Sequence, residues 1–121
     1  MSPQQVSYDY MVHGDADRNT FNTLKKKVGQ FATRTNRHYF IGKACGSNPP
    51  ENRWYQKYKP NNYSMMFVLC QTPSEDEALQ LEDWLVTYFK DTKTGRLIDN
   101  PVGGGGGRRG SGAGFVYLVL M

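Results

Sequence analysis

The chain has 121 residues, of which 21% are charged and 13% aromatic, and its formal net charge is +4. This composition excludes a disordered chain, and two cysteines, Cys45 and Cys70, are too few for a disulfide scaffold. No apolar run reaches the roughly 18 residues of a membrane span, and residues 1–10 lack a signal-peptide core. The sequence therefore predicts one domain, residues 1–121, in a reduced intracellular compartment, cytoplasmic or nuclear, and the positive charge favours polyanionic partners.

The N-terminal third predicts a strand and a helix. Residues 6–12 alternate in polarity, with Val6, Tyr8, Tyr10 and Val12 on one face. A helix over about 17–35, capped by Asp17 or Asn19, follows. Its apolar stripe contains Phe21, Leu24, Val28 and Phe31, and three lysines, Lys25 to Lys27, lie around it. These lysines are interpreted either as a solvated helix surface or as a nucleic-acid contact.

The middle of the chain predicts a second strand over 38–43, with Tyr39 and Ile41 on one face and Phe40 on the other. A loop over 44–51 follows. Residues 53–59 then interleave cations with aromatic residues and predict a short helix or turn. Such interleaving suits either phosphate contact with base stacking, or a helix that packs Trp54 and Tyr58 inward.

The next segment is a continuous apolar strand, 65–70, followed by the clearest helix, 72–89. The helix has two alternative starts, with Thr72 or Ser74 as the cap. Its apolar stripe includes Leu81, Leu85 and Phe89, and Glu82 falls inside that stripe. A buried carboxylate needs a metal ion, an arginine or a hydrogen-bond network, whereas at the edge of the stripe it would reach solvent.

The C-terminal part contains Asn100, five glycines at 103–107 and a closing strand at 115–121. The glycines lack the lysine of a phosphate-binding P-loop and precede a strand, so a P-loop is rejected. They serve either as a flexible link or as backbone that approaches a phosphate closely. Neither the histidines nor the cysteines have zinc-ligand spacing. The order of elements predicts an α+β fold, a small layer of strands and helices.

Four pieces in this order resemble the GIY-YIG endonuclease domain. Phe40–Lys43 is similar to the Tyr-Ile-Gly-Lys end of the family's second signature strand, and Arg53 follows in the short helix. Glu82 lies in a segment similar to the family's glutamate helix, and Asn100 precedes Gly103–Gly107 as in the family's Asn-x-x-Gly-Gly-x-Gly. The resemblance covers residues from about Tyr39 to the end. It implies a mostly antiparallel sheet of three to four strands flanked by helices.

The chain also departs from the family pattern. The first half of the signature, Gly-Ile-Tyr, is absent, and its best counterpart is Tyr8-Asp9-Tyr10. Family members join the two signature strands by a short hairpin, whereas here the helix over about 17–35 is inserted between them. Phe40 stands in the place of the second tyrosine; the adjacent Tyr39 faces the other way unless a β-bulge turns it.

The resemblance implies metal-dependent hydrolysis of phosphodiester bonds in nucleic acid, with DNA favoured over RNA as the substrate. Glu82 would hold a single Mg²⁺ or Mn²⁺ ion, and Arg53 would clamp the scissile phosphate. Tyr10 or Tyr39 would supply the catalytic hydroxyl, and Asn100 would fix the geometry. The predicted nucleic-acid contacts are Lys43, Arg53, Trp54, Lys57, Arg108 and Arg109.

Two other hypotheses stay open at the level of sequence. The chain could be a nucleic-acid-binding module on the same fold that has lost catalysis together with its second tyrosine. It could also be an interaction domain in which Glu82 has a purely structural role.

Overall fold

A five-stranded, mostly antiparallel sheet with helices on both faces organises the chain into an α+β fold. The computed structural model describes residues 5–32, 37–92, 97–100 and 112–121. The strands are β1 (Val6–Ser7), β2 (Val12–His13), β3 (Tyr39–Cys45), β4 (Met65–Thr72) and β5 (Gly114–Leu120). The helices are α1 (Arg18–Phe31), α2 (Pro50–Arg53) and α3 (Glu75–Lys90). The predicted α+β class is confirmed, with five strands where three to four were expected.

The last strand of the chain lies in the middle of the sheet. β5 pairs antiparallel with β3 on one side and with β4 on the other. β1 and β2 both pair in parallel with the outer edge of β4. The site described below depends on this order, because it places β5 directly beside β3.

The N-terminal strand was predicted as one element over 6–12, and this is wrong. Val6 pairs with Met66 and Val12 pairs with Cys70, so the chain between β1 and β2 is longer than the stretch of β4 opposite it. The excess forms a turn in which the Met11 N–H donates to the Tyr8 carbonyl. Asp9 lies in this turn, and aspartate disfavours extended strand structure.

The two long helices begin at side-chain caps. Asp17 accepts from the Thr20 N–H at the start of α1, as one of the two predicted caps. Ser74, rather than Thr72, caps α3 by accepting from the Glu77 N–H. Thr72 is instead the last residue of β4, and its hydroxyl donates to the Ser74 carbonyl.

Each face of the sheet has its own core. α1 and α3 cover one face through residues such as Leu24, Leu81 and Leu85. The other face is covered by the segment after β3, chiefly by Trp54 and Tyr58. The alternation predicted for β3 is confirmed, since Ile41 belongs to the first core and Phe40 packs against the second.

Two further expectations for this region have clear outcomes. β3 runs on to Cys45, so the expected loop over 44–51 begins later than predicted. Across the described residues, none of the helices has the length and apolar character needed to cross a membrane.

Candidate active site

Glu82 lies in the middle of α3 and is only 5% exposed. Its neighbours on the buried side of the helix, Leu81, Leu85 and Val86, belong to the core that faces the sheet. The interpretation of Glu82 as a buried carboxylate is therefore confirmed, and the solvent-exposed alternative is wrong. Burial raises the pKa of Glu82 to about 7, because removing water penalises the charged form.

Three cations partly offset the effect of burial on the pKa of this carboxylate, whereas the neighbouring Asp83 acts in the same direction as burial. Lys43 from β3, Arg53 from the end of α2 and Lys57 each lower its pKa, against the larger effect of burial. Within the described ranges, no side chain or backbone group donates a hydrogen bond to Glu82. The carboxylate is thus electrostatically coupled to cations, but the part of the chain that the structure describes gives it none of the direct donors that a buried structural acid usually has.

A π-helical turn, Trp54–Tyr58, extends α2 and brings two side chains into line. The Lys59 N–H donates to the Trp54 carbonyl, five residues earlier, so the turn contains one residue more than an α-helical turn. Residues five positions apart then project to the same side of the turn. Arg53 and Tyr58 are such a pair. Both interact with the side chain of Tyr117 in β5.

Tyr117 reaches this place because the strand beside it has no side chain there. Tyr117 pairs with Gly42 across β5 and β3, and a Cβ on Gly42 would collide with the tyrosine ring. The Tyr117 hydroxyl lies 2.6 Å from the Tyr58 hydroxyl, and both residues are buried. Burial raises the pKa of Tyr117, while Tyr58 and the Arg53 guanidinium act in the opposite direction.

Arg53 carries a buried donor, its Nε, that has no hydrogen-bond partner among the described residues. The guanidinium is electrostatically coupled to Tyr117, Tyr58 and Glu82. A buried N–H without an acceptor is costly, and a phosphate oxygen would satisfy it.

Lys43 and Asn100 hold the strand that carries Gly42. The Lys43 Nζ lies 3.0 Å from Glu75 Oε1, and both side chains are buried. Asn100 accepts from the Ile41 N–H at 2.8 Å and donates to the Ile41 carbonyl at 2.6 Å. Lys43 was predicted to contact a phosphate and Asn100 to fix geometry; in the structure both are buried beside the site, with Asn100 bound to backbone.

Other predicted site residues lie away from Glu82. Tyr10, 48% exposed, packs on Phe31 and Phe67 beyond the outer edge of β4, at the opposite side of the sheet from β3. Tyr39 packs on Phe89, two helical turns along α3 from Glu82, and the β3–β5 pairing has no bulge that would turn it. The structure therefore does not bring either tyrosine to the cluster of Glu82 and Arg53.

The predicted nucleic-acid contacts divide into surface, interior and undescribed residues. Lys57 is exposed, with its Nζ 4.3 Å from the centroid of the Phe40 ring. Trp54 is fully buried, so its ring is not offered to a base, which corrects that expectation. Arg108, Arg109 and the glycines at 103–107 lie outside the described residues.

Sequence reasoning missed Tyr58 and Tyr117. Tyr117 lies in the closing strand as Gly114-Phe-Val-Tyr117, which has one residue more between glycine and tyrosine than the family's Gly-Ile-Tyr, so no motif match marked it. The closing strand was recognised, but its partner was not, because no local pattern shows which strands pair. Tyr58 was considered only as a packing residue of a short helix.

Glu82 is the candidate ligand for the divalent cation that the resemblance predicts. Within the described residues there is no group of three or more His, Cys, Asp or Glu side chains that could hold a metal. Glu82 is a lone carboxylate without a hydrogen-bond donor from those residues, and Mg²⁺ is commonly held by one or two carboxylates, waters and substrate oxygens. Glu82 is thus the protein ligand that the structure offers for such an ion.

Comparison with known proteins adds no relative. No family model, no curated protein and no solved structure matches this chain.

Proposed function

We propose that the chain is a divalent-metal-dependent endonuclease that hydrolyses phosphodiester bonds in nucleic acid, with DNA as the preferred substrate. The observation that carries the proposal is that a buried carboxylate, Glu82, is electrostatically coupled to Arg53 and Tyr117, whose side chains contact each other beside Gly42. Structural ion pairs also perturb pKa values, but here the carboxylate and the Arg53 Nε both lack direct partners among the described residues.

The resemblance to GIY-YIG endonucleases supports the same proposal in a rearranged form. In that family a hairpin joins the two signature strands. Here β5, which carries Gly114 and Tyr117, pairs antiparallel with β3, which carries Phe40–Lys43. We assign the role of the first signature tyrosine to Tyr117 rather than Tyr10, so the strand that comes first in the family comes last in this chain.

The chain's own residues would act as follows. Glu82 would hold the cation, and Mg²⁺ or Mn²⁺ would supply charge stabilisation for the phosphate and the leaving oxygen. Arg53 binds the scissile phosphate through Nε and a terminal nitrogen. Tyr117, a neutral phenol at pH 7, orients the attacking water by hydrogen bonding, with Tyr58 holding its hydroxyl.

One specific observation favours a second candidate, a nucleic-acid-binding module without catalysis. Phe40 occupies the place of the second signature tyrosine and has no hydroxyl. In that case Arg53 and Lys57 would still bind phosphate, and Glu82 would remain as a buried acid without a catalytic role.

The decisive experiment is a Mg²⁺ titration of cleavage of supercoiled plasmid and of branched DNA. We expect cleavage that requires the metal and falls roughly 100-fold or more in Glu82→Gln and Arg53→Ala, and roughly 10- to 100-fold in Tyr117→Phe. Asp91→Asn is the matched control, because Asp91 is an exposed carboxylate at the end of α3 and is not among the groups that shift the pKa of Glu82. Equal cleavage by wild type and Glu82→Gln would refute the proposed site. Salt-dependent binding without cleavage would favour the second candidate.

A further inference from the structure

A pocket lies on the side of the sheet that carries Tyr58 and Tyr117. It has a volume of about 350 Å³ and is lined by Phe40, Lys57, Tyr58, Asn61, Tyr63 and Asp99, among others. Small-molecule pockets have volumes of roughly 300–1,000 Å³ and combine aromatic walls with a few polar groups. This pocket has that composition, with a cation and a carboxylate on its lining.

The pocket is contiguous with the candidate active site. Tyr58 lines it, and the hydroxyl of the same residue contacts the Tyr117 hydroxyl at 2.6 Å. Phe40 is two residues before Gly42 and projects from the same face of β3. Lys57 also lines the pocket and is electrostatically coupled to both Arg53 and Glu82. A molecule in the pocket is therefore a neighbour of a phosphate at Arg53.

The aromatic walls of the pocket are fixed in place before any ligand arrives. The Tyr63 hydroxyl donates to Asp99 Oδ2 at 2.7 Å, and its ring meets Tyr58 edge to face with centroids 5.6 Å apart. His38 holds the other carboxylate oxygen of Asp99 at 3.1 Å. Because these rings are already ordered, binding a flat ligand against them costs little further conformational entropy.

Lys57 connects the two sites. Its ammonium lies over the rings of Phe40 and Tyr58 at 4.3 and 5.3 Å from their centroids. A lysine stem is flexible, so the ammonium can leave the ring for a phosphate oxygen that lies nearby. A base would then take its place against the aromatic wall, while the phosphate attached to it meets Lys57.

We propose that this pocket binds an unpaired nucleobase next to the phosphate held by Arg53. The substrate would then contain a single-stranded nucleotide at this position, as in a flap, a branch point or single-stranded nucleic acid, rather than an uninterrupted duplex. A base can enter an aromatic pocket only when it is out of the helical stack, and stacking on tyrosine or phenylalanine tolerates every base. This proposal rests on the proposed nuclease function for the position of the phosphate.

The test measures base stacking without requiring cleavage. Wild-type protein and Glu82→Gln, both in EDTA, are titrated into an oligothymidylate with one central 2-aminopurine, whose fluorescence falls when it stacks. The same label is placed in a perfect duplex and in an RNA strand. We expect a several-fold loss of fluorescence with single strands, at least fivefold weaker binding to the duplex, and the same quenching with Glu82→Gln.

Three variants locate the effect in the pocket. Tyr63→Leu should weaken single-strand binding and quenching roughly five- to tenfold. Tyr63→Phe keeps the ring and should retain most of both. Tyr55→Leu removes an aromatic ring that is 62% exposed and does not line this pocket, so it should behave as wild type. Circular dichroism of each variant confirms folding.

The outcomes separate this proposal from the nuclease function. Equal affinity for single strands and duplex, or equal losses in Tyr63→Leu and Tyr55→Leu, would overturn the base pocket even if plasmid cleavage is observed. Quenching that depends on Tyr63 in a protein that cleaves nothing would support the pocket and overturn catalysis. Absence of binding to any strand would overturn the pocket, and the cleavage assay alone would decide the enzyme. Comparison of the DNA and RNA strands shows which of the two sugars is accepted.

Discussion

The raised pKa of Glu82 follows from the burial of its carboxylate. Its ordinary pKa is 4.5, and burial raises it to about 7 in spite of Lys43, Arg53 and Lys57. At neutral pH, Glu82 in the folded protein is therefore either protonated or carries a buried charge that destabilises the fold. A cation bound to Glu82 would offset the cost of burying its charge. We therefore expect the protein to be less stable without the cation than with it.

This placement predicts a pH-dependent stability. A carboxyl whose pKa is higher in the folded than in the unfolded state stabilises the fold at low pH, and that stability is lost as the pH rises from about 4.5 to about 7. We expect Glu82→Gln to equal wild type near pH 4 and to exceed it by about 2–3 kcal/mol at pH 8 without metal. Urea unfolding at several pH values measures the difference.

The control for this experiment is Asp91→Asn, which removes an exposed carboxylate at the end of α3 that is not among the groups shifting the pKa of Glu82. Its unfolding free energy should differ from wild type by a few tenths of a kcal/mol at every pH. Wild type and Glu82→Gln of equal stability at pH 8 would show that Glu82 is not buried in the way described.

At the scale of elements, the long helix α3 supplies Glu82, and two short segments place the other side chains of the site. The π-helical turn aligns Arg53 with Tyr58, and Gly42 in β3 leaves room for Tyr117. The edge of β3 is covered by the segment around Asn100, where Ile98 bridges Tyr39 and the Asp99 N–H donates to the Tyr39 carbonyl. These contacts keep β3 in register beside β5.

Asn100 therefore has a predictable mechanical role. Asn100→Ala leaves the buried N–H and carbonyl of Ile41 without partners, and we expect a loss of about 2–4 kcal/mol in the free energy of unfolding. Cleavage should fall with it, because Gly42 is the next residue. Chemical denaturation measures the loss, and Asn52→Ala at an exposed position is the control. A change below 0.5 kcal/mol would contradict the two hydrogen bonds.

At the scale of the whole molecule, the end of the chain completes the sheet. β5 is the last strand in sequence, and both cores use it, through Leu118 on one face and Tyr117 on the other. The antiparallel partners β3 and β4 do not pair with each other. Neither hydrophobic core is complete without the side chains of residues 114–120.

Removal of the last strand should therefore unfold the protein. We expect a chain that ends at residue 111 to lose cooperative unfolding and the near-ultraviolet signal of its buried aromatic residues. The control ends at Leu120, lacks only the half-exposed Met121 and should keep a cooperative transition. Circular dichroism with thermal melting distinguishes the two chains, and a cooperative melt of the shorter chain would refute the central position of β5.

Much of the fold was predictable from local patterns. α1, α3, β4 and the closing strand follow from periodicity and caps, because these signals extend over only a few residues. The split of 6–12 into two short strands was not predictable, since it depends on register against β4. Glu82 was identified from the helix stripe alone, and Arg53 and Asn100 from the resemblance.

The amino-acid sequence by itself determined that a carboxylate lies in an apolar stripe and that strands and helices alternate around it. The tertiary structure alone decided which tyrosine stands beside Arg53. Tyr117 is 64 residues from Arg53 in the chain, and only the pairing of β5 with β3 brings the two together. Strand pairing depends on the packing of the complete sheet, and no window of local sequence contains that information.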